Sequence, residues 1–451
     1  DPRGSCHPSP PWSLEMLNSP TVVWLTSAAR EASYRLSRLL PEANDGIRPD
    51  ADVWILGQEF SAPSSSPGSE AEVARCVRAC HWFTYRQGFA AIPGTMLTSD
   101  AGWGCMMRSG QMILATALVR LQHSRLREGS AGDAAGGDGG SVAGGSGVEL
   151  PDEAEAAIVR LFADCVEAQF SLTHIALQGA EHGIPVGKWM GPASIAQVLA
   201  QLAARGRAGA ACSRVSADAP PADSRRNGVA AHSPATAATD ELNASATTAA
   251  EASPSPGGVA PGLRILVAMD GVIYRDEVES AAQPSRGEWE PLLLLVPLRL
   301  GLDKFSPAYA LTVLGLMRLP QCVGVIGGRP RSSYYFLGTQ ADRILFLDPH
   351  EVQPALNLAQ PHLPSCHFTR GVRTMRLCDI DPSLAFGFLL TSRACLDDFC
   401  DRTLAVGAGG GLPAFSVAGA RPEYERQSVS LQREGGEFEE EEEEDDDLVV
   451  I

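Results

Sequence analysis

The sequence has no apolar run long enough to cross a membrane as a helix, and its longest, residues 291–298, suits a buried strand. Its first residues also lack the basic segment and apolar core of a signal peptide. The cysteines are odd in number, 11, and have no regular spacing, so they indicate reduced thiols and not a disulfide framework. Together these absences predict a cytoplasmic protein.

Basic residues are scarce relative to acidic ones. The 36 lysines and arginines face 54 aspartates and glutamates, which gives a formal net charge of −18. Much of the excess lies in residues 437–447, where almost every residue is Asp or Glu. Such a block repels itself, so we predict a disordered, solubilising tail. A nucleic acid is not an expected partner, because phosphate binding needs a basic surface.

Two internal segments have few residues that could form a core. Residues 129–147 are rich in Gly, Ala and Ser, whereas residues 205–261 are rich in Ala, Ser, Pro and Thr and contain no Phe, Tyr or Trp. Neither composition buries enough apolar surface to offset the entropy lost on ordering. We predict that both are disordered linkers, and that structure resumes at an apolar strand over residues 263–268.

Residues 102–106 (GWGCM) place Cys105 just after a Gly-Trp-Gly turn, at the start of an apolar, helix-periodic run. At a helix N-terminus a thiol meets unpaired backbone N–H groups and the positive end of the helix dipole, which favour the thiolate. The flanking glycines allow a sharp turn and a close approach of a substrate to the backbone. Cys105 is therefore a candidate nucleophile, and a buried cysteine at a helix start is the alternative.

Far downstream, residues 344–350 (ILFLDPH) have the pattern of a short buried strand that ends in Asp-Pro-His. Residues two apart on an extended chain share a face, so Asp348 and His350 project together. A carboxylate beside an imidazole fixes its tautomer and stabilises its charged form, as a base partner of a thiol requires. On this motif alone, an ordinary polar turn is the alternative.

Further motifs follow the order found in a known family. They are residues 53–57 (VWILG), 82–86 (WFTYR), 187–192 (GKWMGP), 291–301 (PLLLLVPLRLG) and 323–330 (VGVIGGRP). With these motifs and those around Cys105 and His350, the sequence resembles the autophagins, the cysteine peptidases also called autophagy-related protein 4. The resemblance covers most of the chain and implies an α+β, papain-like cysteine protease fold with disordered loop insertions and tails.

Family motifs on both sides of the linkers indicate one catalytic domain. We assign residues 1–20 to a disordered N-terminal segment and residues 21–420 to the catalytic domain, with disordered insertions at about 128–150 and 205–262. Residues 421–451 form the disordered acidic C-terminal tail in this assignment.

Apolar periodicity predicts several elements of this domain. Residues 21–40 suit an amphipathic helix packed on the domain, with a membrane-surface helix or a transit-like peptide as alternatives. The other predicted elements are helices over residues 153–170, 192–202 and 308–318, and strands over residues 292–296 and 334–337.

The resemblance implies a role for each residue of the site. Cys105 would be the nucleophile, His350 the group that takes and returns the proton, and Asp348 the group that orients His350. The backbone N–H of Cys105 and, by resemblance, the hydroxyl of Tyr85 would stabilise the oxyanion. Without the family, a core tyrosine beside Trp82 is the better interpretation of Tyr85.

The resemblance also implies which residues determine substrate specificity. By resemblance, Trp189 walls the substrate channel, and a loop containing Arg329 and Pro330 gates it, so that only a C-terminal glycine enters. From the residues alone, Trp189 is instead a core tryptophan.

The function implied by the resemblance is proteolysis in autophagy. The substrate would be the ubiquitin-like autophagosome modifier, cut after its C-terminal glycine and also freed from phosphatidylethanolamine. The protein would then touch membranes only through the lipidated substrate, as a monomer without a cofactor. The alternative is a weakly active or autoinhibited protein that binds the modifier as an adaptor.

Three features depart from the pattern of the family. Leu448 occupies the aromatic position of a tail motif that docks on the modifier, which weakens the prediction of such docking. Ser109 replaces a cysteine suggested as a redox switch and makes the sequence most like the C- and D-type paralogues. The insertion at residues 205–261 is unusually long.

A metal site is the remaining chemical alternative. His362, Cys366, His367 and Cys378 lie near one another in the sequence, but their spacing fits no standard zinc pattern. We therefore predict no metal site and interpret these cysteines as core or surface thiols.

Overall fold

The computed structural model describes a central sheet with helices on both faces. The residues it describes are 46–66, 68–131, 150–217, 262–284, 287–330 and 332–422. The predicted N-terminal segment, the helix predicted over residues 21–40 and nearly all of the acidic tail lie outside the described residues.

The helices and strands of the described residues follow in chain order. The α-helices are α1 (Ser69–Ala79), α2 (Cys105–Ala131), α3 (Asp152–Arg160), α4 (Leu172–Glu181), α5 (Pro192–Ala217), α6 (Arg275–Ala282), α7 (Ala310–Met317) and α8 (Arg393–Ala408). The strands are β1 (Val53–Ile55), β2 (Gln58–Phe60), β3 (Arg86–Gln87), β4 (Arg264–Val267), β5 (Val272–Tyr274), β6 (Leu292–Arg299), β7 (Cys322–Arg329), β8 (Ser332–Gln340), β9 (Arg343–Leu347), β10 (Gln353–Pro354), β11 (Arg373–Arg376), β12 (Ser383–Leu390) and β13 (Ser416–Ala418). Short 3₁₀ turns occupy Pro307–Tyr309, Leu363–Cys366 and Leu377–Asp379.

The main sheet runs in the order β11-β9-β8-β7-β12-β6-β4, with β1 paired to β8 and β2 paired to β1. Its neighbouring strands are antiparallel except for β4 and β6. A separate parallel pair joins β3 to β10 and sets Arg86 opposite Gln353. This pair connects the segment after Tyr85 to the segment after His350.

Strand β6 separates two apolar cores. Leu293 and Leu295 belong to the core on one face of the sheet, and Leu292, Leu294 and Val296 belong to the core on the other. Successive side chains of a strand point to opposite faces, so a strand covered on both sides needs a continuous apolar run. The strand predicted from this run is therefore confirmed.

Helix α2 lies close against the sheet because glycine leaves room for it. A Cβ added to Gly387 of β12 would lie 2.6 Å from Cδ1 of Ile113. On the helix itself, a Cβ added to Gly110 would lie 2.6 Å from Cγ1 of Ile195 on α5. These two contacts position the helix that begins at Cys105.

Two predicted helices differ in length from the observed ones. The helix predicted over residues 153–170 ends as α3 at Arg160, because Asp164 pairs with Arg108 at 2.9 Å and accepts the backbone N–H of Leu356 at 2.7 Å. The helix predicted over residues 192–202 continues as α5 to Ala217, into the segment predicted to be a linker from residue 205. Its alanine-rich sequence has a high helix propensity, which explains the continuation.

A buried ionic network lies beneath the start of α2. Arg108 is 1% exposed, and its guanidinium donates to Asp100 at 2.9 and 3.2 Å and pairs with Asp164 at 2.9 Å. The Asp100 carboxylate also accepts the backbone N–H of Arg86 at 2.6 Å. Each buried charge is thus both paired and hydrogen-bonded, which is the condition for tolerating it in a core.

Replacing Arg108 by methionine should destabilise the fold strongly, because two buried carboxylates would lose their counter-charge. We expect a loss of about 3–5 kcal/mol in the free energy of unfolding, measured by urea denaturation. Arg402→Ala is the control, since it removes only the exposed pair with Asp398 on α8 and should cost about 0–1 kcal/mol. Equal losses in both variants would contradict this account.

Candidate active site

Cys105 begins helix α2, as its sequence context predicts, and is 2% exposed. The N–H of Gly104 donates to the carbonyl of Asp100 at 2.9 Å, so the turn leads directly into the helix. Gly102 has φ 87°, in the left-handed region that favours glycine, and a Cβ on Gly104 would lie 2.1 Å from Oδ2 of Asp100. Both glycines of the motif are therefore required by the turn that positions the thiol.

His350 follows the end of β9, and its orientation is fixed by Asp348. The imidazole Nδ1 lies 2.5 Å from Oδ1 of Asp348, and the backbone N–H of His350 donates to the same oxygen at 3.0 Å. A carboxylate accepts, so Nδ1 carries the proton in this pair. This arrangement leaves Nε2 for the thiol.

Asp348 has two further partners. Its Oδ2 accepts from the guanidinium of Arg373 at 2.7 Å, and its backbone carbonyl accepts from the indole N–H of Trp82 at 2.7 Å. Arg373 also lies over the ring of Phe346, with 5.2 Å between the guanidinium carbon and the ring centroid. The carboxylate that orients His350 is thus itself held on both sides.

Tyr85 lies beside both Cys105 and His350. Its side chain is 1% exposed, packs with Cys105 and hydrogen-bonds to the thiol. Its ring meets that of His350 edge-on, with centroids 5.4 Å apart. The backbone N–H of Tyr85 donates to the carbonyl of Pro349 at 2.9 Å, which ties the tyrosine to the Asp-Pro-His segment.

The thiol and the imidazole alter each other's ionisation. Burial raises the pKa of Cys105, but the hydrogen bond and positive charge of His350 more than offset this, so the net pKa is lowered. Burial likewise lowers the pKa of His350, yet hydrogen bonds and charge from Asp348 and Cys105 raise it to about 10. Both shifts favour a thiolate beside an imidazolium, the form in which a cysteine attacks a carbonyl.

The residues expected to gate the site lie at the surface. Arg329 is the last residue of β7 and Pro330 follows it; both are exposed. The positive charge of Arg329 favours a lower pKa of Tyr334. The ring centroid of Tyr334 lies 5.5 Å from that of His350. Trp189 is 47% exposed, so it is not the core tryptophan of the alternative interpretation. Within the described part of the chain, no hydrogen bond or ring contact joins Trp189 to Cys105.

Two contributors to the site were not predicted. Arg373 lies on β11, whose pairing places it opposite Phe346 of β9, and no local pattern indicates that pairing. The backbone of Ser333 hydrogen-bonds to the Cys105 thiol and lowers its pKa. The Ser333 hydroxyl lies 3.1 Å from that of Ser109, so Ser109 faces a polar partner one helical turn from Cys105.

A buried cysteine at a helix start, with an Asp-oriented histidine from an antiparallel sheet, defines a cysteine-type peptidase of papain-like fold. Residues 70–402 match the peptidase C54 catalytic domain. The chain therefore belongs to the peptidase C54 family, the autophagin cysteine proteases, as its motifs indicated.

Several relatives support this assignment along most of the chain. Identity to cysteine protease ATG4B of Xenopus laevis is 31% over 374 residues, covering 82% of this chain and 84% of that protein. Identity to cysteine protease ATG4b of Arabidopsis thaliana is 30% over 416 residues, covering 88% and 76%. Identity to cysteine protease ATG4B of Oryza sativa subsp. japonica is 32% over 385 residues, covering 82% and 70%. The closer likeness to C- and D-type paralogues stays a prediction.

Among the residues that the structure describes, no helix is both long and apolar enough to span a membrane.

Replacing His350 by alanine should make Cys105 less reactive, because the lowering effect of the imidazolium is lost while burial still raises the pKa. We expect alkylation of Cys105 by iodoacetamide at pH 7 to slow by at least about tenfold, since each pKa unit changes the thiolate fraction tenfold. Peptide mass spectrometry after timed labelling gives the rate at this residue alone. His182→Ala, whose imidazole pairs with Gln201 outside the site, should react like the unaltered chain. Equal rates in both variants would refute the ion pair.

Proposed function

We propose that the chain hydrolyses a peptide bond through Cys105, His350 and Asp348. The observation that carries the proposal is a buried thiol at the start of a helix, beside an imidazole whose Nδ1 lies 2.5 Å from Oδ1 of Asp348; the pKa of the thiol is lowered by that imidazole. The thiolate attacks the scissile carbonyl, and the oxyanion accepts hydrogen bonds from the backbone N–H of Cys105 and the hydroxyl of Tyr85.

The second half of the reaction uses the same groups. His350 gives its proton to the leaving amine, which departs and leaves a thioester on Cys105. His350 then takes a proton from water, and the resulting hydroxide attacks the thioester to release the carboxylate product and the thiolate. Asp348, held by Arg373, keeps the imidazole in one orientation through both steps.

The substrate we propose is the ubiquitin-like autophagosome modifier, cleaved after its C-terminal glycine. Support comes from membership of the peptidase C54 family and from relatives named ATG4 cysteine proteases. Arg329 and Pro330, with Trp189, would restrict the channel to a glycine, which has no side chain. Exposure of these three side chains makes them accessible to a protein substrate.

Removal of phosphatidylethanolamine is the second reaction we propose. The lipid amine is joined to the same glycyl carbonyl, so one site accepts both amides. The setting would be the cytoplasm, with a monomeric enzyme that meets membranes only through its lipidated substrate. An adaptor role is not favoured, because an adaptor has no need of an ionised thiol, a paired histidine and an aligned tyrosine.

Cleavage of modifier precursors tests the proposal directly. We would incubate a panel of precursors with the full chain, with residues 1–420 and with Cys105→Ala, and identify products by mass spectrometry. We expect a product ending in glycine from both active forms and none from Cys105→Ala. A matched assay on modifier conjugated to phosphatidylethanolamine in vesicles measures delipidation. Binding without cleavage by either active form would overturn the proposal.

Removing the Tyr85 hydroxyl should slow turnover without weakening binding. Because the hydroxyl stabilises charge that exists only in the transition state, Tyr85→Phe should lower kcat by about 10²–10³ and change KM little. Steady-state kinetics on a precursor separates the two constants. Tyr334→Phe removes a hydroxyl from the other tyrosine ring that packs on His350, and it should lower kcat far less. Similar losses in both variants would mean that Tyr85 acts only through packing.

A further inference from the structure

A second cluster of titratable side chains lies away from Cys105. It consists of His81, which follows α1, Glu155 in the first turn of α3, and His367, which follows the 3₁₀ turn ending at Cys366. One ligand atom from each of the three side chains lies within 4.8 Å of the others. The triad is therefore built from three segments that are remote in the sequence.

The backbone holds two of these segments together. His81 and His367 form an antiparallel β-bridge, and the N–H of Trp82 donates to the carbonyl of Cys366 at 2.7 Å. The two imidazole centroids are 5.4 Å apart. The rings are thus fixed in position before any ligand arrives, as a preorganised site requires.

Both ring nitrogens of His367 face acceptors, so each carries a proton in this geometry, and a metal ion would displace the proton on Nε2. Its Nδ1 lies 2.8 Å from the carbonyl of Arg78, and because a carbonyl only accepts, Nδ1 carries a proton. Its Nε2 lies 2.5 Å from Oε1 of Glu155. This pairing of one ring nitrogen with a backbone carbonyl is the arrangement found behind metal-bound histidines.

His81 is a buried histidine whose ring nitrogens make no hydrogen bond to the described residues. It is 2% exposed, its Nε2 lies 3.3 Å from Oε1 of Glu155 without hydrogen-bond geometry, and its Nδ1 has no partner among the described residues. A buried imidazole that makes no hydrogen bond is costly unless it binds a ligand.

Glu155 provides the charge. Its Oε1 lies 2.5 Å from Nε2 of His367 and 3.3 Å from Nε2 of His81, so one carboxylate oxygen faces both imidazoles. Its side chain is 14% exposed and that of His367 is 24% exposed, which gives an ion and a water molecule access from solvent.

We propose that His81, Glu155 and His367 bind a divalent transition-metal ion, with Zn²⁺ as the ion this ligand set favours. Two imidazoles and one carboxylate, completed by water, make a four-coordinate zinc site. Metal–ligand bonds of about 2.0–2.1 Å at tetrahedral angles place ligand atoms about 3.3 Å apart. The distance from Nε2 of His81 to Oε1 of Glu155 already has this value, at 3.3 Å, whereas Nε2 of His367, at 2.5 Å from the same oxygen, would have to move away from it by about 0.8 Å.

The ion would fasten the segment that carries Tyr85. His81 begins this segment, and Trp82 donates to the carbonyl of Asp348 at 2.7 Å. The ion would therefore join α3, the segment after the 3₁₀ turn and the approach to the active site, and so stabilise the folded state by linkage. Cys366, the neighbouring thiol, faces Arg86 instead, with 4.0 Å between the sulfur and the guanidinium nitrogen.

The test uses the untagged full chain carrying Cys105→Ala, so that zinc cannot bind the catalytic thiolate. Excess Mg²⁺ occupies the acidic residues of the tail. Zn²⁺ is titrated by isothermal calorimetry, and Co²⁺ is followed by its visible d–d absorption. We expect one equivalent of either ion to bind, with tetrahedral Co²⁺ absorption and without the charge-transfer band of a thiolate ligand.

Substitutions then locate the bound ion. His367→Gln and Glu155→Gln, which are partly exposed, should each weaken Zn²⁺ binding by at least the roughly 10–100-fold that loss of even an outer-shell partner costs. His362→Gln alters an exposed histidine of the same segment outside the triad and should leave binding unchanged. Absence of a Zn²⁺ or Co²⁺ signal, a thiolate charge-transfer band, or unchanged affinity in both triad variants would overturn the proposal.

Discussion

The buried guanidinium of Arg108 is the constraint on which the rest of the site depends. Arg108 pairs with Asp100, which accepts the backbone N–H of Arg86, next to Tyr85. Arg108 also pairs with Asp164, which accepts the backbone N–H of Leu356, six residues after His350. Because Arg108 is itself one turn into α2, a single charge aligns the helix that begins at Cys105 with the segments that carry Tyr85 and His350. Without this cation the two buried carboxylates would repel each other, and the segments that carry Cys105, Tyr85 and His350 would no longer be held in alignment.

Two opposing effects, burial and the attraction between opposite charges, determine the ionisation of Cys105 and His350. Burial works against both a thiolate and an imidazolium, whereas their mutual attraction, with Asp348 beyond the histidine, favours the charged forms. Asp348 in turn is restrained by Arg373 and by the indole of Trp82. Reactivity at Cys105 is therefore a property of a chain of contacts that reaches from α2 to β11, and not of the cysteine alone.

Local patterns in the sequence predicted a large part of this arrangement. The thiol at a helix start, the carboxylate and imidazole two residues apart, and strand β6 each follow from patterns a few residues long. What could not be predicted depends on contacts between distant segments. Arg373 reaches Asp348 only through strand pairing, α3 ends at Arg160 because Asp164 has remote partners, and His367 meets a glutamate 212 positions away. No spacing rule covers such distances.

The same long separations in sequence determine when, during synthesis and folding, the site around Cys105 is assembled. Trp82 and Asp348, which are hydrogen-bonded, are separated by 266 positions. The backbone N–H of Tyr85 likewise has its acceptor, the carbonyl of Pro349, far downstream. During synthesis Cys105 therefore leaves the ribosome long before His350 has been added to the chain. Until β9 has joined the sheet, Cys105 is an ordinary thiol with neither a cation nor an aligned hydroxyl beside it. Because the segments of the site are far apart in the sequence, we expect no proteolytic activity until the chain is nearly complete and folded.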